Sequence, residues 1–277
     1  MEILSKKIID KGELIMNNGH LYEGISIDKN NNIVFNWNKD NKNNDVIYLD
    51  ISTSGEFNDD SIKYIYGYKY APNATQAQKK LVRDFIKAGN ASRNIEHFVE
   101  NAVLEVEHIK PLNSFGALVR IKPSKYPSIL SQIENTLTSY AEVPYYRFEL
   151  IKQTYDKVSF NREKAYELLV ASGLSETSAE DSINFVENKF EQLKASGELF
   201  QMKRFLPTAI RGAFHDFLLF ENESQRKLYE SLQNIDVLIY DDFLTSGSTI
   251  KEIIRYLKSF NPNNTLTIFV LINQRRD

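Results

Sequence analysis

Residues 237–249 constrain the fold more than any other part of the chain. They begin with the apolar run Val-Leu-Ile-Tyr, which is typical of a strand buried inside a sheet, and continue with Asp241 and Asp242. A short loop of Thr, Ser and Gly residues then leads into residues 250–260, whose apolar spacing predicts a helix. A buried strand that turns directly into a helix is the repeating unit of a parallel α/β sheet, so the sequence predicts that architecture here.

The same alternation extends over most of the chain. Apolar runs predict strands at residues 117–121, 146–151, 236–240 and 265–272, and helical spacing predicts helices at residues 128–137, 162–171 and 179–196. We therefore expect an α/β protein with a doubly wound, mostly parallel sheet. Residues 152–207 are predicted to form a helical insertion. Its second helix has Ser178 as the expected N-cap and a core-facing stripe of Ile183, Val186, Phe190 and Leu193.

Residues 1–98 are predicted to form a β-rich region with one helix at residues 75–88, and residues 99–277 to form the core. Within the first region we expect a hairpin around residues 29–32 and strands at residues 46–51 and 62–70. Tyrosines recur with period two in the last strand, at Tyr64, Tyr66, Tyr68 and Tyr70. We interpret this row as a packed sheet face; a base-stacking platform is the alternative. Residues 90–115 have no clear pattern.

Composition excludes several classes of function. A net charge of −3 argues against a general nucleic-acid binder, and the absence of cysteine excludes disulfides, thiolate metal sites and a cysteine nucleophile. A chain without cysteine is compatible with a reducing cytoplasm, which is the location we expect. The N-terminus does not resemble a signal peptide, and no apolar window is long enough to span a membrane.

The loop after the acidic pair predicts an anion site. Backbone N–H groups at a helix N-terminus, with the hydroxyls of Ser246, Ser248 and Thr249, favour a phosphate. Two carboxylates beside a phosphate need partners of their own, either vicinal sugar hydroxyls or a metal ion. A phosphorylated ribose would satisfy both halves of the segment; the alternative is a solvated acidic pair followed by an ordinary helix cap. The sequence has no P-loop lysine, no G-x-G-x-x-G after a strand and no zinc motif.

Residues 237–249 resemble, at every position, the phosphoribosyl pyrophosphate signature of type I phosphoribosyltransferases: an apolar run, an acidic pair, two variable residues and Thr-Ser-Gly-Ser-Thr. The resemblance implies that Asp241 and Asp242 bind the ribose 2′- and 3′-hydroxyls and bind Mg²⁺, directly or through ligand hydroxyls or water. It also implies that the 5′-phosphate is wrapped by Thr245, Ser246, Gly247, Ser248 and Thr249.

A second segment is similar to the pyrophosphate loop of the same family, which commonly reads Pro-Ser-Ser-Lys or near it. It follows the predicted strand at residues 117–121 and comprises Pro123, Ser124, Lys125 and Tyr126. The resemblance implies that these residues bind the substrate and that Lys125 acts in catalysis with the two aspartates. The two loops also occur in the family's order. Arg211, at the end of the insertion, is predicted to be a further pyrophosphate contact.

The resemblance therefore predicts a phosphoribosyltransferase that, with Mg²⁺, transfers the phosphoribosyl group to a nitrogen base or other acceptor and releases pyrophosphate. Thr245 replaces the aspartate of 6-oxopurine enzymes, which argues against hypoxanthine or guanine. The chain ends soon after its last strand, as in ComF-like members, so residues 1–98 would be a base-covering hood or a docking module. The alternative is a non-catalytic, ligand-sensing regulatory or effector subunit of a larger bacterial or phage assembly, working as a homo-oligomer or with a partner protein.

Overall fold

The structure is a computed structural model, and it describes residues 24–27, 33–36, 49–51, 54–57, 62–70, 76–88, 93–122, 128–141, 144–202, 206–244 and 247–273. The strands are β1 (Gly24–Ile27), β2 (Ile33–Asn36), β3 (Leu49–Ile51), β4 (Ser54–Phe57), β5 (Ile62–Tyr70), β6 (Ala117–Ile121), β7 (Tyr146–Lys152), β8 (Ser159–Phe160), β9 (Phe214–His215), β10 (Leu218–Phe220), β11 (Asp236–Leu244) and β12 (Thr265–Asn273). The α-helices are α1 (Gln76–Ala88), α2 (Arg93–Ile109), α3 (Ser128–Ala141), α4 (Arg162–Ala171), α5 (Glu176–Lys194), α6 (Glu223–Ser231) and α7 (Ser248–Phe260).

Parallel strands form the centre of the main sheet, in the order β7, β6, β11, β12 and β5. Antiparallel strands extend it on both sides, with β10 beside β7 and with β3 and β4 beside β5. The predicted hairpin is confirmed, because β1 and β2 pair antiparallel from Gly24–Asn36 to Ile27–Ile33. Since β5 pairs with β12, the central sheet includes strands from both sides of the predicted boundary at residue 98. The boundary itself stays a prediction.

Helices cover both faces of this sheet. Helices α1, α2 and α3 pack on one face, against strand residues that include Leu118, Leu238 and Phe269. Helices α4 to α7 pack on the other face, against residues that include Val119 and Val237. Successive residues of a buried strand thus contribute to different layers, as the pleat requires. The predicted α/β class with a parallel central sheet is confirmed. No helix in the described part of the chain is long and apolar enough to cross a bilayer.

The insertion contains two packed helices, α4 and α5. The stripe predicted for α5 is buried, with at most 6% of any of its side chains exposed. The predicted N-cap was wrong: α5 begins at Glu176, and Ser175 is the cap, because its side chain accepts the Ser178 N–H at 3.3 Å. Arg162 of α4 forms ion pairs with Glu180 and Glu187 of α5. These contacts join the two helices into one unit.

The tyrosine row does not lie on one face of β5 as predicted. The rings of Tyr64 and Tyr66 stack with centroids 5.5 Å apart, in the layer of α4 to α7. Tyr68 belongs to the opposite layer, where it stacks on Phe98 at 4.1 Å and donates a hydrogen bond to the Phe98 carbonyl at 2.7 Å. The side chain of Tyr70 lies outside the described residues. All three described rings are buried, which supports packing and not base stacking.

Gly67 lies on β5 where the strand passes beneath α2. An added Cβ would lie 2.3 Å from the Ala102 Cβ and 3.2 Å from the Leu271 carbonyl oxygen. We expect Gly67→Ala to lower the free energy of unfolding by about 1–3 kcal/mol, the usual cost of overpacking. Gly212→Ala is the control, because among the described residues its Cβ would meet only the Leu168 Cδ1, at 3.7 Å. Urea denaturation measures both variants, and equal midpoints would contradict this tight contact.

Candidate functional site

Strands β6 and β11 are neighbours in the sheet, and the helices that follow them cross on opposite faces. Helix α3, which follows β6, packs with α1 and α2, whereas α7, which follows β11, packs in the other layer. In open α/β sheets, ligands bind where two neighbouring strands are followed by helices on opposite faces. The binding crevice lies at the carboxyl ends of those two strands. Backbone pairing between β6 and β11 extends from Ala117–Val237 to Val119–Ile239. The crevice therefore opens just beyond Val119 and Ile239.

Asp241 and Asp242 lie on β11, beyond the last residue that pairs with β6. The strand was predicted to end at Tyr240, but it continues to Leu244 because β12 pairs with it as far as Asn273. Both aspartates are half-buried, and the backbone N–H of Asp242 donates to Oδ1 of Asp241 at 2.8 Å. The acidic pair thus lies beside the crevice, on a part of β11 whose backbone pairs with β12 and lies beyond the described pairing with β6.

Gly247 and the first turn of α7 follow the acidic pair, while Thr245 and Ser246 lie outside the described residues. Gly247 is the N-cap of α7 and has left-handed backbone angles, φ 75° and ψ −1°. The helix begins at Ser248 and not at residue 250 as predicted, so Ser248 and Thr249 belong to its first turn. The first helical hydrogen bond runs from the Lys251 N–H to the Gly247 carbonyl at 2.9 Å. N–H groups at the start of a helix lie before its first internal hydrogen bond, and such a helix N-terminus favours an anion.

The second predicted loop joins β6 to α3 at the same edge of the sheet. Its residues Pro123, Ser124, Lys125 and Tyr126 lie outside the described part, so their contacts stay predictions. Lys122, the residue before this loop, is held in place, because its N–H donates to the Leu150 carbonyl at 2.8 Å and its side chain forms an ion pair with Glu221. Since β6 and β11 are parallel neighbours, the two loops begin on either side of the crevice.

Arg211 lies in a short 3-10 helix, Ala209–Ala213, that contacts both α4 and α7. Its Nη2 donates to the Leu206 carbonyl at 3.3 Å, and its buried Nε has no hydrogen-bond partner within the described residues. Burial lowers the pKa of Arg211. A desolvated guanidinium gains much from an anionic partner, so Arg211 remains suited to the predicted pyrophosphate contact.

An ionic cluster that the sequence did not predict attaches the insertion to α7. Arg255 of α7 forms ion pairs with Glu252 at 2.8 Å and with Asp216 at 2.6 Å. The hydroxyl of Ser159 donates to the other oxygen of Asp216 at 2.6 Å. The helix that begins at the candidate phosphate site is thereby linked to β8, which lies within the insertion, and to Asp216, which follows β9.

A second group that the sequence missed, the crevice-floor network, consists of Arg120 on β6, Glu134 on α3 and Tyr240 on β11. The Tyr240 hydroxyl donates to Oε2 of Glu134 at 2.6 Å, and Nη1 of Arg120 lies 3.2 Å from the same oxygen. Arg120 Nε also donates to Glu149 of β7 at 2.8 Å. Burial and the bond to Glu134 raise the pKa of Tyr240 above its usual range. The only sequence signal was a charged residue inside an otherwise apolar strand.

The donors at the crevice fit one kind of metal site. Within the described part of the chain, no three Asp, Glu or His side chains lie together in a way that could hold a metal ion. Mg²⁺ commonly uses one or two carboxylates and takes its remaining ligands from water and substrate phosphates. Asp241 and Asp242 therefore suit a Mg²⁺ ion that arrives with a phosphorylated ligand.

Comparison with known proteins adds little to this description. No family model and no curated protein matches the chain. A hypoxanthine phosphoribosyltransferase from Staphylococcus aureus is a similar solved structure, with 14% sequence identity and a TM-score of 0.32. The similarity covers 65% of this chain and 62% of that protein, which is less than two thirds of its length.

Proposed function

We propose that the chain binds 5-phosphoribosyl pyrophosphate with Mg²⁺ at the crevice between β6 and β11 and transfers the phosphoribosyl group to a nitrogen acceptor. One observation carries the proposal. Along the chain, the acidic pair on β11 is followed by the N-terminus of α7. Both lie at the place in the sheet where the helices that follow β6 and β11 pack on opposite faces. A ligand that contacts both must combine hydroxyls or a bound metal ion with a phosphate, and a phosphorylated ribose does so.

Each group has a proposed part in binding. Asp241 and Asp242 accept hydrogen bonds from the ribose hydroxyls, because ionised carboxylates are strong acceptors. The first turn of α7 and the loop before it, residues 245–249, bind the 5′-phosphate. Ser124 and Lys125 bind the pyrophosphate from the β6 side of the crevice, with Arg211 as a further cation.

The proposed reaction requires little covalent chemistry from side chains. The bond from ribose C1 to the pyrophosphate oxygen breaks, the pyrophosphate keeps the electron pair, and the acceptor nitrogen forms the new bond to C1 and loses its proton to solvent. Bound Mg²⁺ supplies neutralising charge for the leaving pyrophosphate. Lys125 adds a second positive charge there, while Asp241 and Asp242 hold the sugar and stabilise the positive charge that develops on it.

A second candidate function is a ligand-sensing subunit that does not catalyse transfer. Exposed apolar side chains favour it, because Phe185 on α5 is 63% exposed and Leu199, after α5, is 52% exposed. Apolar side chains that lie together on a surface are typical of contact with a partner protein. Under this proposal the insertion would transmit the state of the crevice to that partner.

Calorimetric titration and an assay for released pyrophosphate test both proposals. We expect phosphoribosyl pyrophosphate to bind in the presence of Mg²⁺, ribose 5-phosphate to bind more weakly, and one member of a panel of nitrogen bases to trigger pyrophosphate release. Binding without release for any base would favour the sensing subunit. If neither ribosyl ligand binds, the proposed site is wrong.

A further inference from the structure

The crevice-floor network joins the two strands where their backbone pairing has stopped. The last paired residues of β6 and β11 are Val119 and Ile239. Arg120 and Tyr240 are the next residue of each strand, and both contact Glu134. Beyond the backbone ladder, this shared carboxylate is therefore a direct link across the base of the crevice.

Each member of the network is also close in sequence to a candidate ligand loop. Tyr240 immediately precedes Asp241, and Arg120 is followed closely by the loop of residues 123–127. Glu134 is on α3, the helix that begins where that loop ends. A displacement of the network would thus change the separation of the two loops.

The network is buried enough to hold a defined geometry. The side chains of Arg120 and Glu134 are 16% and 14% exposed, and Tyr240 is 2% exposed. Polar groups in such surroundings lose much free energy when they lose their partners, so they resist rearrangement. Arg120 and Glu134 are further held by Glu149 and Arg147 of β7, which border the same cavity of about 190 Å³.

We propose that Arg120, Glu134 and Tyr240 are positioning residues that set the separation of the two ligand loops across the crevice. They would determine how tightly the protein binds a ligand that bridges both loops, without touching that ligand themselves. This inference rests on the proposed function, because it assumes that phosphoribosyl pyrophosphate uses both loops while ribose 5-phosphate uses only Asp241, Asp242 and residues 245–249.

The test is Tyr240→Phe, which removes one hydroxyl and keeps the ring. We expect its affinity for phosphoribosyl pyrophosphate with Mg²⁺ to fall about tenfold, because small misplacements of binding groups have effects of this order. Its affinity for ribose 5-phosphate should change by less than about twofold, because the acidic pair and residues 245–249 belong to one continuous segment and do not depend on the separation of the two loops. The ratio of the two dissociation constants is the quantity that a merely structural role would leave unchanged.

The matched control is Tyr145→Phe. The Tyr145 hydroxyl donates to the Leu112 carbonyl at 2.9 Å, at the opposite, amino-terminal edge of the sheet. This variant loses the same chemical group from a part-buried hydrogen bond, and we expect both affinities to stay as in the wild type. If Tyr240→Phe does not fold, Glu134→Gln replaces it, since the amide keeps the shape and an acceptor oxygen while weakening the contact with Arg120. It should shift the ratio in the same direction.

The outcomes separate the inference from the proposed function. A selective loss for phosphoribosyl pyrophosphate in Tyr240→Phe, absent in Tyr145→Phe, supports the inference. An equal loss for both ligands, or no loss for either, overturns it and leaves the proposed function standing. If the wild-type protein binds neither ligand, the proposed function fails and the inference fails with it.

Discussion

The double variant Asp241→Asn, Asp242→Asn is expected to bind phosphoribosyl pyrophosphate and ribose 5-phosphate at least about a hundredfold more weakly than the wild type. A hydrogen bond to a charged group contributes roughly 1.5–3 kcal/mol, and the variant neutralises two acceptors. The fold should persist, because both side chains are only half-buried and asparagine keeps the size and shape of aspartate. Calorimetric affinity and thermal unfolding, measured on the same preparation, distinguish lost binding from lost structure.

Asp236→Asn is the matched control for the double variant. Asp236 lies on the same strand at its amino end, where its carboxylate pairs with Lys110 at 2.9 Å. The same chemical change there removes a partly exposed ion pair, so stability should fall by less than about 1 kcal/mol. Ligand affinity should be unaffected. Wild-type affinity in the double variant would exclude the two aspartates from ribose binding.

Strands of the sheet could be predicted where the apolar pattern within the strand itself marks both of its ends. The bounds of β5 and β6 are those expected from the sequence, because β5 has regular apolar alternation and β6 is a short, mostly apolar run that begins after Gly116 and ends before Lys122-Pro123. The far end of β11 could not be predicted, since residues 241–244 extend the strand only through pairing with β12. That pairing is a tertiary contact with no local signature.

Helix α2 shows a different kind of failure. Its buried residues recur at helical spacing, as Ile95, Phe98, Val99, Ala102, Val103 and Val106. The pattern was therefore present in residues 90–115, although charged and polar residues fill the positions between. Ser92 before the first turn and Pro111 after the last are also ordinary start and stop signals, so this helix could have been predicted from the sequence.

One part of the candidate site could be predicted from the sequence and another could not. Residues 237–249 are contiguous, so an acidic pair followed by a helix N-terminus could be predicted from their order alone. The crevice-floor network could not, because Tyr240 and Glu134 are separated by 106 positions and meet only when α3 packs on the sheet. The face of the sheet on which each connecting helix packs is likewise set by tertiary packing. The crevice between β6 and β11 exists because the helices that follow these two strands pack on opposite faces.

Gly247→Val is expected to weaken ribose 5-phosphate binding by about tenfold or more, because a left-handed backbone costs a residue with a Cβ roughly 1–2 kcal/mol and a β-branched one more. The φ of 75° at Gly247 is the bend that joins the loop to α7. A valine there would relax toward negative φ, and the N–H groups of Ser248 and Thr249 would turn with it. The protein should still fold, since a single strained turn costs less than the free energy of unfolding of a typical domain.

Gly247→Asn and Gly247→Ala identify the cause of that loss. Asparagine tolerates left-handed angles better than alanine, although both carry a Cβ. If the backbone bend is what orients the N–H groups, protection against thermal unfolding by ribose 5-phosphate should decrease in the order Gly, Asn, Ala, Val. If the Cβ itself occupies the space of the anion, asparagine should be as poor as alanine. Equal protection of wild type and Gly247→Val would contradict both causes and would remove the start of α7 from the phosphate site.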